Sequence, residues 1–338
     1  MAFFLPKENP AKNKNKFTME TAIKKTRLLF AGTSPFAEKI LSTLLEENFN
    51  VVLVILRPEK KSGREQKIIQ SPLRLLAEKN NIPCLDPEKI TPEIIAEIKK
   101  YQPDLSIVAA YGKILPESFL QIPSLGALNI HPSLLPKYRG PSPIQSAILA
   151  GEQETGTTLM LMDKGMDSGN IIAQEKIAIP KDDLGSELSN RLSKLSSHLL
   201  LETLPRWIKK EISSIKQDEA SATLCSMIKS SDGKIFWNKK AEEIYNRYRA
   251  FSPRPGIFSF WQKGKELKKI NLKKINLSAE ILGKNIAPGT IVERDGQILV
   301  ATGLGTIEIQ EIQIEGKKPV PIKNFINGYP NFVGSVLN

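Results

Sequence analysis

RLLFAGTSPFAEKILSTLLEENFNVVLVIL, residues 27–56, decides the fold. Residues 27–31 form a short apolar run that breaks at Gly32. Thr33, Ser34 and Pro35 then supply helix-cap chemistry. The spacing of Ile40, Leu41, Leu44 and Leu45 predicts an amphipathic helix over 36–47. Asn48, Phe49 and Asn50 turn the chain into a second apolar run at 51–56. This is a βαβ unit, and strands apolar at nearly every position belong to a parallel sheet with helices on both faces. The expected fold class is α/β.

The same stretch excludes a dinucleotide site. Residues 32–37 hold one glycine, whereas the phosphate-binding turn of such sites needs three, each where a side chain would block the backbone or the ligand. Residues 57–70 follow as a charged loop, longer than a routine connection and placed where βα loops meet ligands. Helices are expected from 71 to about 80 and near 92–101, then a strand at 105–110 and a helix from Pro116. The next strand, 127–130, presents Asn129 and then His131. Pro132 and Pro136 bracket Ser133, Leu134 and Leu135, so the chain leaves the sheet extended. An isolated Asn–His pair at such a strand end equally serves to satisfy loop backbone. Further along, a strand at 157–162 ends in a Gly165–Gly169 turn carrying Asp167, and a long helix spans 184–210 with His198 read as a surface or packing residue.

With 338 residues the chain is long for one core. Residues 1–26, with six Lys against two Glu, read as a disordered basic tail; 27–210 as a catalytic domain; 211–228, polar and patternless at its start, as a linker. From 229 the pattern changes to short strands, at 257–261, 267–277, 290–294, 297–301 and 305–314, which suggests a small barrel of the oligonucleotide-binding type. Asp295-Gly296 marks a hairpin. Lys-Lys-Ile-Asn-Leu repeats in tandem at 268–277; a five-residue shift flips the apolar pair to the other face of a strand, so a bulge is expected there.

The net charge of +12 sits entirely at the two ends: residues 27–228 balance at 24 basic and 24 acidic, while 229–338 carry 18 against 10. That segregation suggests a polyanionic partner, nucleic acid above all, beside the plainer reading of a solvated surface. No apolar run approaches a membrane span. Cys84 and Cys225 match no metal spacing and read as small hydrophobes of a reduced, cytoplasmic protein. Two histidines, His131 and His198, leave no multi-histidine metal site, and no metal is expected.

Asn129, His131 and Asp167 fall at one edge of the expected sheet. No serine or cysteine elbow accompanies the histidine, which disfavours a covalent acyl route. The trio suits direct attack of an amine on a carbonyl. Asn129 can donate to the developing oxyanion. His131 can donate to the same oxygen or shuttle a proton. Asp167 can orient His131, or take the amine's proton through a water.

Residues 129–140, Asn-Ile-His-Pro-Ser-Leu-Leu-Pro-Lys-Tyr-Arg-Gly, together with Gly-Met-Asp-Ser-Gly at 165–169, resemble the signature of the 10-formyltetrahydrofolate-dependent formyltransferases. The resemblance implies a Rossmann-like amino-terminal domain that binds folate. It maps catalysis onto Asn129, His131 and Asp167. Folate contacts map onto Ser133, Leu134, Leu135 and Pro136, whose extended segment would offer backbone groups, with Ile114 and Leu115 of the Tyr111–Pro116 stretch as another wall. Residues 30–33, the basic loop after the second strand, Asp232-Gly233-Lys234-Ile235-Phe236-Trp237, residues 249–256 and Gly316-Lys317-Lys318-Pro319 resemble the members that formylate methionyl-tRNA. That implies formyl transfer to the α-amine of initiator methionyl-tRNA, in translation initiation; a monomer is expected, though no residue pattern sets the oligomeric state. Lys60, Lys61 and Arg64 would meet the acceptor end, and the basic barrel the tRNA phosphates. The family's loop usually reads Gly-Arg-Gly followed by two lysines, whereas here it is Gly63-Arg64-Glu65-Gln66-Lys67. The alternatives are a sugar-nucleotide amine N-formyltransferase and a catalytically inactive tRNA-binding protein.

Overall fold

Leu28–Gly32, buried at all five positions, is the strand β1 around which the amino-terminal sheet is laid. The structure is a computed structural model and describes residues 23–59, 61, 62, 67, 68, 70–283 and 285–338. The described residues begin slightly ahead of the expected strand: residues 23–25 are helical and Ile23 is buried, so the four residues from Ile23 to Thr26 are not part of a tail. The remainder of the expected tail lies outside the described residues.

α1 (Pro35–Glu46) starts as the cap chemistry requires, with the Ser34 hydroxyl accepting from the Ala37 amide at 3.4 Å. β2 (Val51–Ile55) follows, then a two-residue ribbon of β3 (Lys61–Ser62) and β4 (Lys67–Ile68) inside the charged loop. Lys60 and Arg64 lie outside the described residues, and only the backbone of Lys61 is described. Next come α2 (Pro72–Lys79), β5 (Cys84–Leu85), α3 (Pro92–Lys100), β6 (Leu105–Ala109), α4 (Glu117–Leu120) and β7 (Ala127–His131). They are followed by α5 (Pro143–Leu149), β8 (Glu154–Leu161), β9 (Ile171–Ala178) and α6 (Gly185–Ile208).

The strands form one sheet in the order β5-β2-β1-β6-β7-β8-β9. From β5 to β7 every pairing is parallel, and β8 runs antiparallel to β7. The expected mostly parallel sheet is therefore present. The chain moves outward from β1 to β5, then returns to place β6 on the other side of β1. That reversal opens a crevice at the carboxyl ends of the strands, where α/β sheets bind ligands. His198 is exposed on α6, with its ring 3.3 Å from Glu202.

Two compact units emerge: Met1–Arg139, Gly156–Ile177 and Asn190–Leu224 form the first, and Gly140–Thr155, Ala178–Ser189 and Cys225–Asn338 the second. Residues 211–224, read from sequence as linker, are thus bonded into the first unit; Ile215 exchanges backbone hydrogen bonds with Ile171 at 2.8 and 2.7 Å. Their polar composition concealed this, because they attach through backbone pairing and buried polar groups.

In the second unit α7 (Ala241–Phe251) precedes β10 (Ile257–Lys263), β11 (Glu266–Ser278), β12 (Ile291–Arg294), β13 (Gln297–Ala301), β14 (Thr306–Ile314), β15 (Val320–Pro321) and α8 (Ile322–Gly328). The sheet runs β10-β11-β14-β13-β12, with β15 on β14. The tandem repeat behaves as its spacing predicts: pairing to β14 slips between Leu272 and Ile275, so Ile270, Leu272 and Ile275 are all buried. Asp295 and Gly296 both take positive φ, 49° and 74°, as a tight hairpin turn demands.

The sheet curls into a barrel because the chain's end joins its two edges. Asn338 and Phe260 of β10 exchange backbone bonds at 2.9 Å, while the Leu337 amide donates to Gly289 and the Gly334 amide to Ile291 at the opposite edge. Closure removes two exposed strand edges, and Leu337 is buried inside it. Leu337→Ala should therefore cost about 2–5 kcal/mol, read from urea unfolding followed by tryptophan emission. A loss within about 0.5 kcal/mol, the range of an ordinary surface change, would show that the end of the chain does not close the barrel.

Candidate active site

Every partner of β7 fixes its register. Asn129 pairs with Val108 on β6 and with Met160 on β8, and His131 lies opposite Thr158. Asn129 is thereby half-buried at the carboxyl end of a central strand, and His131 is buried. β8 runs back beside β7 and ends level with Leu128, near the amino end of that strand, so the turn that follows has to fold back to lay Asp167 against Asn129 and His131. The three residues do meet. Asn129 Nδ2 donates to Asp167 Oδ1 at 3.2 Å, and His131 Nδ1 lies 3.5 Å from Asp167 Oδ2.

The other edge of the imidazole decides its protonation pattern. His131 Nε2 is 2.9 Å from the Tyr138 carbonyl, which can only accept, so Nε2 carries a hydrogen. Burial pushes the imidazole below its ordinary pKa, and the Asp167 carboxylate and the Tyr138 carbonyl oppose that only in part. The ring is therefore neutral near pH 7, with the Nδ1 lone pair facing a carboxylate. Two acceptors facing each other stay beyond ordinary hydrogen-bond distance, as the 3.5 Å separation shows. A proton delivered there would turn the pair into a charge-assisted bond. Sequence reasoning allowed His131 to donate to an oxyanion. Nε2 is engaged by Tyr138, and this leaves Nδ1 as the edge that can exchange protons.

The turn that carries Asp167 is tightly built. Asp167 adopts a left-handed φ of 52°. Gly169 approaches β8 so closely that a Cβ would sit 1.8 Å from the Leu161 carbonyl oxygen. Asp163 accepts from the Gly165 amide at 2.9 Å and from the Ser168 hydroxyl at 3.0 Å, closing the loop on itself. Gln217, buried, donates through Nε2 to the carbonyls of Asp167 at 2.9 Å and Gly169 at 2.7 Å. Its Oε1 accepts from Arg139 Nε and Nη2 at 3.0 and 2.8 Å. Arg139 also clasps Glu219 in a two-point ion pair, 2.9 and 2.8 Å. Sequence reasoning assigned no role to Gln217 or Arg139. Arg139 stands in the quoted 129–140 stretch, but Gln217 sits in a polar run with no periodicity to set it apart.

The expected folate wall has a different character from the one implied. Ser133 and Leu135 are buried, and their backbone groups are used within the unit. Thr158 Oγ1 donates to the Ser133 carbonyl at 2.7 Å and accepts from the Leu135 amide at 3.2 Å. Gln174 Nε2 donates to the Leu135 carbonyl at 2.7 Å, and the Leu134 and Pro136 carbonyls accept from the amides of Lys137 and Thr223. The Ser133 hydroxyl donates to the Lys137 carbonyl at 2.7 Å and so is not held as a nucleophile. Across the crevice, after β6, Leu115 is buried while Ile114 is 94% exposed. The hydroxyl of Tyr111, just past β6, is buried with no hydrogen-bond partner among the described residues.

Known proteins resemble this chain along nearly its whole length. The formyl transferase family profile matches residues 24–204, and that of the formyl transferase C-terminal domain residues 227–330. A methionyl-tRNA formyltransferase of Citrifermentans bemidjiense is 40% identical over 314 residues, covering 92% of this chain and 96% of that protein. One from Carboxydothermus hydrogenoformans is 40% identical over 313 residues, 92% and 99% of the two chains. Among solved structures, an N-formyltransferase from Helicobacter canadensis in complex with folinic acid and dTDP-3-aminofucose is 26% identical. It has a TM-score of 0.62 and covers 83% of this chain and 98% of that one. With both of its units matched and relatives at this identity along nearly its whole length, the chain belongs to the methionyl-tRNA formyltransferase family.

Proposed function

We propose that this chain transfers the formyl group of 10-formyltetrahydrofolate to the α-amine of methionine esterified to initiator tRNA. The observation that carries the reading is the meeting of Asn129, His131 and Asp167 at the end of β7. When bound, the folate supplies a formyl carbonyl on a nitrogen able to leave. Asn129 gives one amide N–H to Asp167 and presents the other to the carbonyl oxygen, where charge develops as the amine adds. The His131–Asp167 pair receives the proton that the amine loses, between Nδ1 and Oδ2, and returns it to the departing nitrogen. No metal is needed for this sequence of proton and bond changes.

Folate fits the residues around the crevice. Ile114 is an exposed apolar side chain in the stretch after β6, and Leu134 and Pro136 are half-buried in the stretch after β7. Contact is therefore assigned to the side chains of Ile114, Leu134 and Pro136, with Ser133, Leu135 and Leu115 supporting them from beneath. A solved relative binding folinic acid supports the same co-substrate. Lys60, Lys61 and Arg64 are proposed to meet the acceptor end of the tRNA.

The second unit supports a nucleic-acid acceptor. Phe258 and Phe260 alternate with buried residues along β10 and face outward. The Lys269 ammonium lies 4.5 Å from the Phe258 ring, and Lys234 lies 5.7 Å from Phe260 and 5.8 Å from Phe236, which is half exposed. Lys263 and Lys317 flank Tyr329. Partly exposed aromatics interleaved with lysines can stack bases and hold phosphates. An amino-sugar nucleotide would leave this face without a task, although the Helicobacter canadensis relative makes that acceptor the second reading.

The deciding experiment offers purified protein and 10-formyltetrahydrofolate with initiator methionyl-tRNA, elongator methionyl-tRNA or a dTDP-amino sugar. Formylmethionine should form on the initiator tRNA, with a KM that rises with salt; transfer to the sugar alone would overturn the reading. Asn129→Ala should lower kcat on the order of a hundredfold or more while tRNA affinity holds. Equal collapse of tRNA binding would make Asn129 structural.

A further inference from the structure

We infer that Gln217 is a positioning residue for formyl transfer: its amide, oriented by Arg139, holds the two ends of the Asp167 turn together and so keeps the carboxylate on Asn129 and His131. The inference rests on the function proposed above for that site. Its physical basis is a buried glutamine with every hydrogen-bonding capacity filled. Oε1 has two lone pairs and receives Arg139 Nε and Nη2; Nε2 has two hydrogens and gives them to the carbonyls of Asp167 and Gly169. Because arginine only donates and carbonyls only accept, the amide has one possible orientation.

The chain delivers Gln217 by zipping residues 214–217 along the strand that leaves the turn. Asn170 Nδ2 donates to Ser214 Oγ at 3.2 Å, and Ile171 and Ile215 exchange backbone bonds. Glu219 then fixes the far side of the Arg139 guanidinium, and the Arg139 amide donates to the Thr223 carbonyl at 2.9 Å. Arg139 lies eight residues beyond His131 on the same excursion whose Tyr138 carbonyl holds the imidazole. One short segment therefore sets both halves of the pair: Tyr138 orients the ring, and Arg139, through Gln217, orients the carboxylate. Asp167 pays a left-handed backbone for its place, and the Gln217 bond to its own carbonyl is what opposes relaxation.

Gln217→Met tests this, since it keeps length and neutrality but removes all four bonds. Two readouts separate positioning from mere stability. Formylation of methionyl-tRNA should lose kcat on the order of ten- to hundredfold, with KM for 10-formyltetrahydrofolate and for tRNA little changed. Independently of activity, the His131 imidazole, followed by NMR against the chain's one other histidine, His198, should titrate at lower pH, because the carboxylate that favours its charged form has moved away. Unchanged kcat and an unchanged His131 titration would overturn the inference. So would a kcat loss that matches the loss of folded protein. Should Gln217→Met not fold, the same readouts on Arg139→Lys decide, because lysine can keep Glu219 but cannot donate twice to Gln217 while doing so. A wild-type chain inactive on methionyl-tRNA, with the titration still displaced in the variant, would sink the proposed acceptor and leave the positioning role standing.

Discussion

The structure turns on one carboxylate held against an amide and an imidazole where a buried strand ends. Oδ1 of Asp167 meets Asn129 and Oδ2 faces His131, and neither contact is local in sequence. Burial keeps the imidazole neutral, and the Tyr138 carbonyl keeps its hydrogen on Nε2. A lone pair then waits opposite a carboxylate for a proton. That arrangement has to be built and held by the fold, because two acceptors brought together repel.

The means are spread through the first unit. Parallel strands β6 and β7 bring Asn129 and His131 to the crevice beside β1, and the turn after antiparallel β8 folds Asp167 back onto them. Gly169 allows the turn to lie against β8, and Thr158 and Gln174 satisfy the backbone of the proline-bracketed exit. The second unit contributes something different: a barrel closed by the chain's own end, with lysines set over outward aromatic rings. The charge excess avoids residues 27–228, where basic and acidic residues balance, and falls at the two ends of the chain.

Much of this was legible in the residues because its causes are local or periodic. β1, α1 and β2 follow from apolar runs and a Ser-Pro start, the Asp295-Gly296 turn from its dipeptide, and the slip in β11 from a five-residue repeat. Asn129, His131 and Asp167 were visible as polar residues at the ends of apolar strands. The hidden parts are long-range. Nothing in a run of Ser, Lys, Gln and Asp distinguishes Gln217, buried among its own hydrogen bonds, from a solvated linker residue. Likewise, residues 133–136 looked like open backbone because their partners, Thr158, Gln174 and Thr223, come from elsewhere in the chain. Barrel closure by residues 334–338 needed the register of two distant edges.

The coupling of Asp167 to His131 is tested most directly by the NMR titration of His131 in the intact chain and in Asp167→Asn, with exposed His198 as internal reference. Burial lowers the imidazole pKa and the carboxylate raises it, so removing the carboxylate leaves burial opposed only by the Tyr138 carbonyl. The account predicts that His131 takes up its proton at lower pH in Asp167→Asn than in the wild type. A titration that stays in place or moves to higher pH would contradict it.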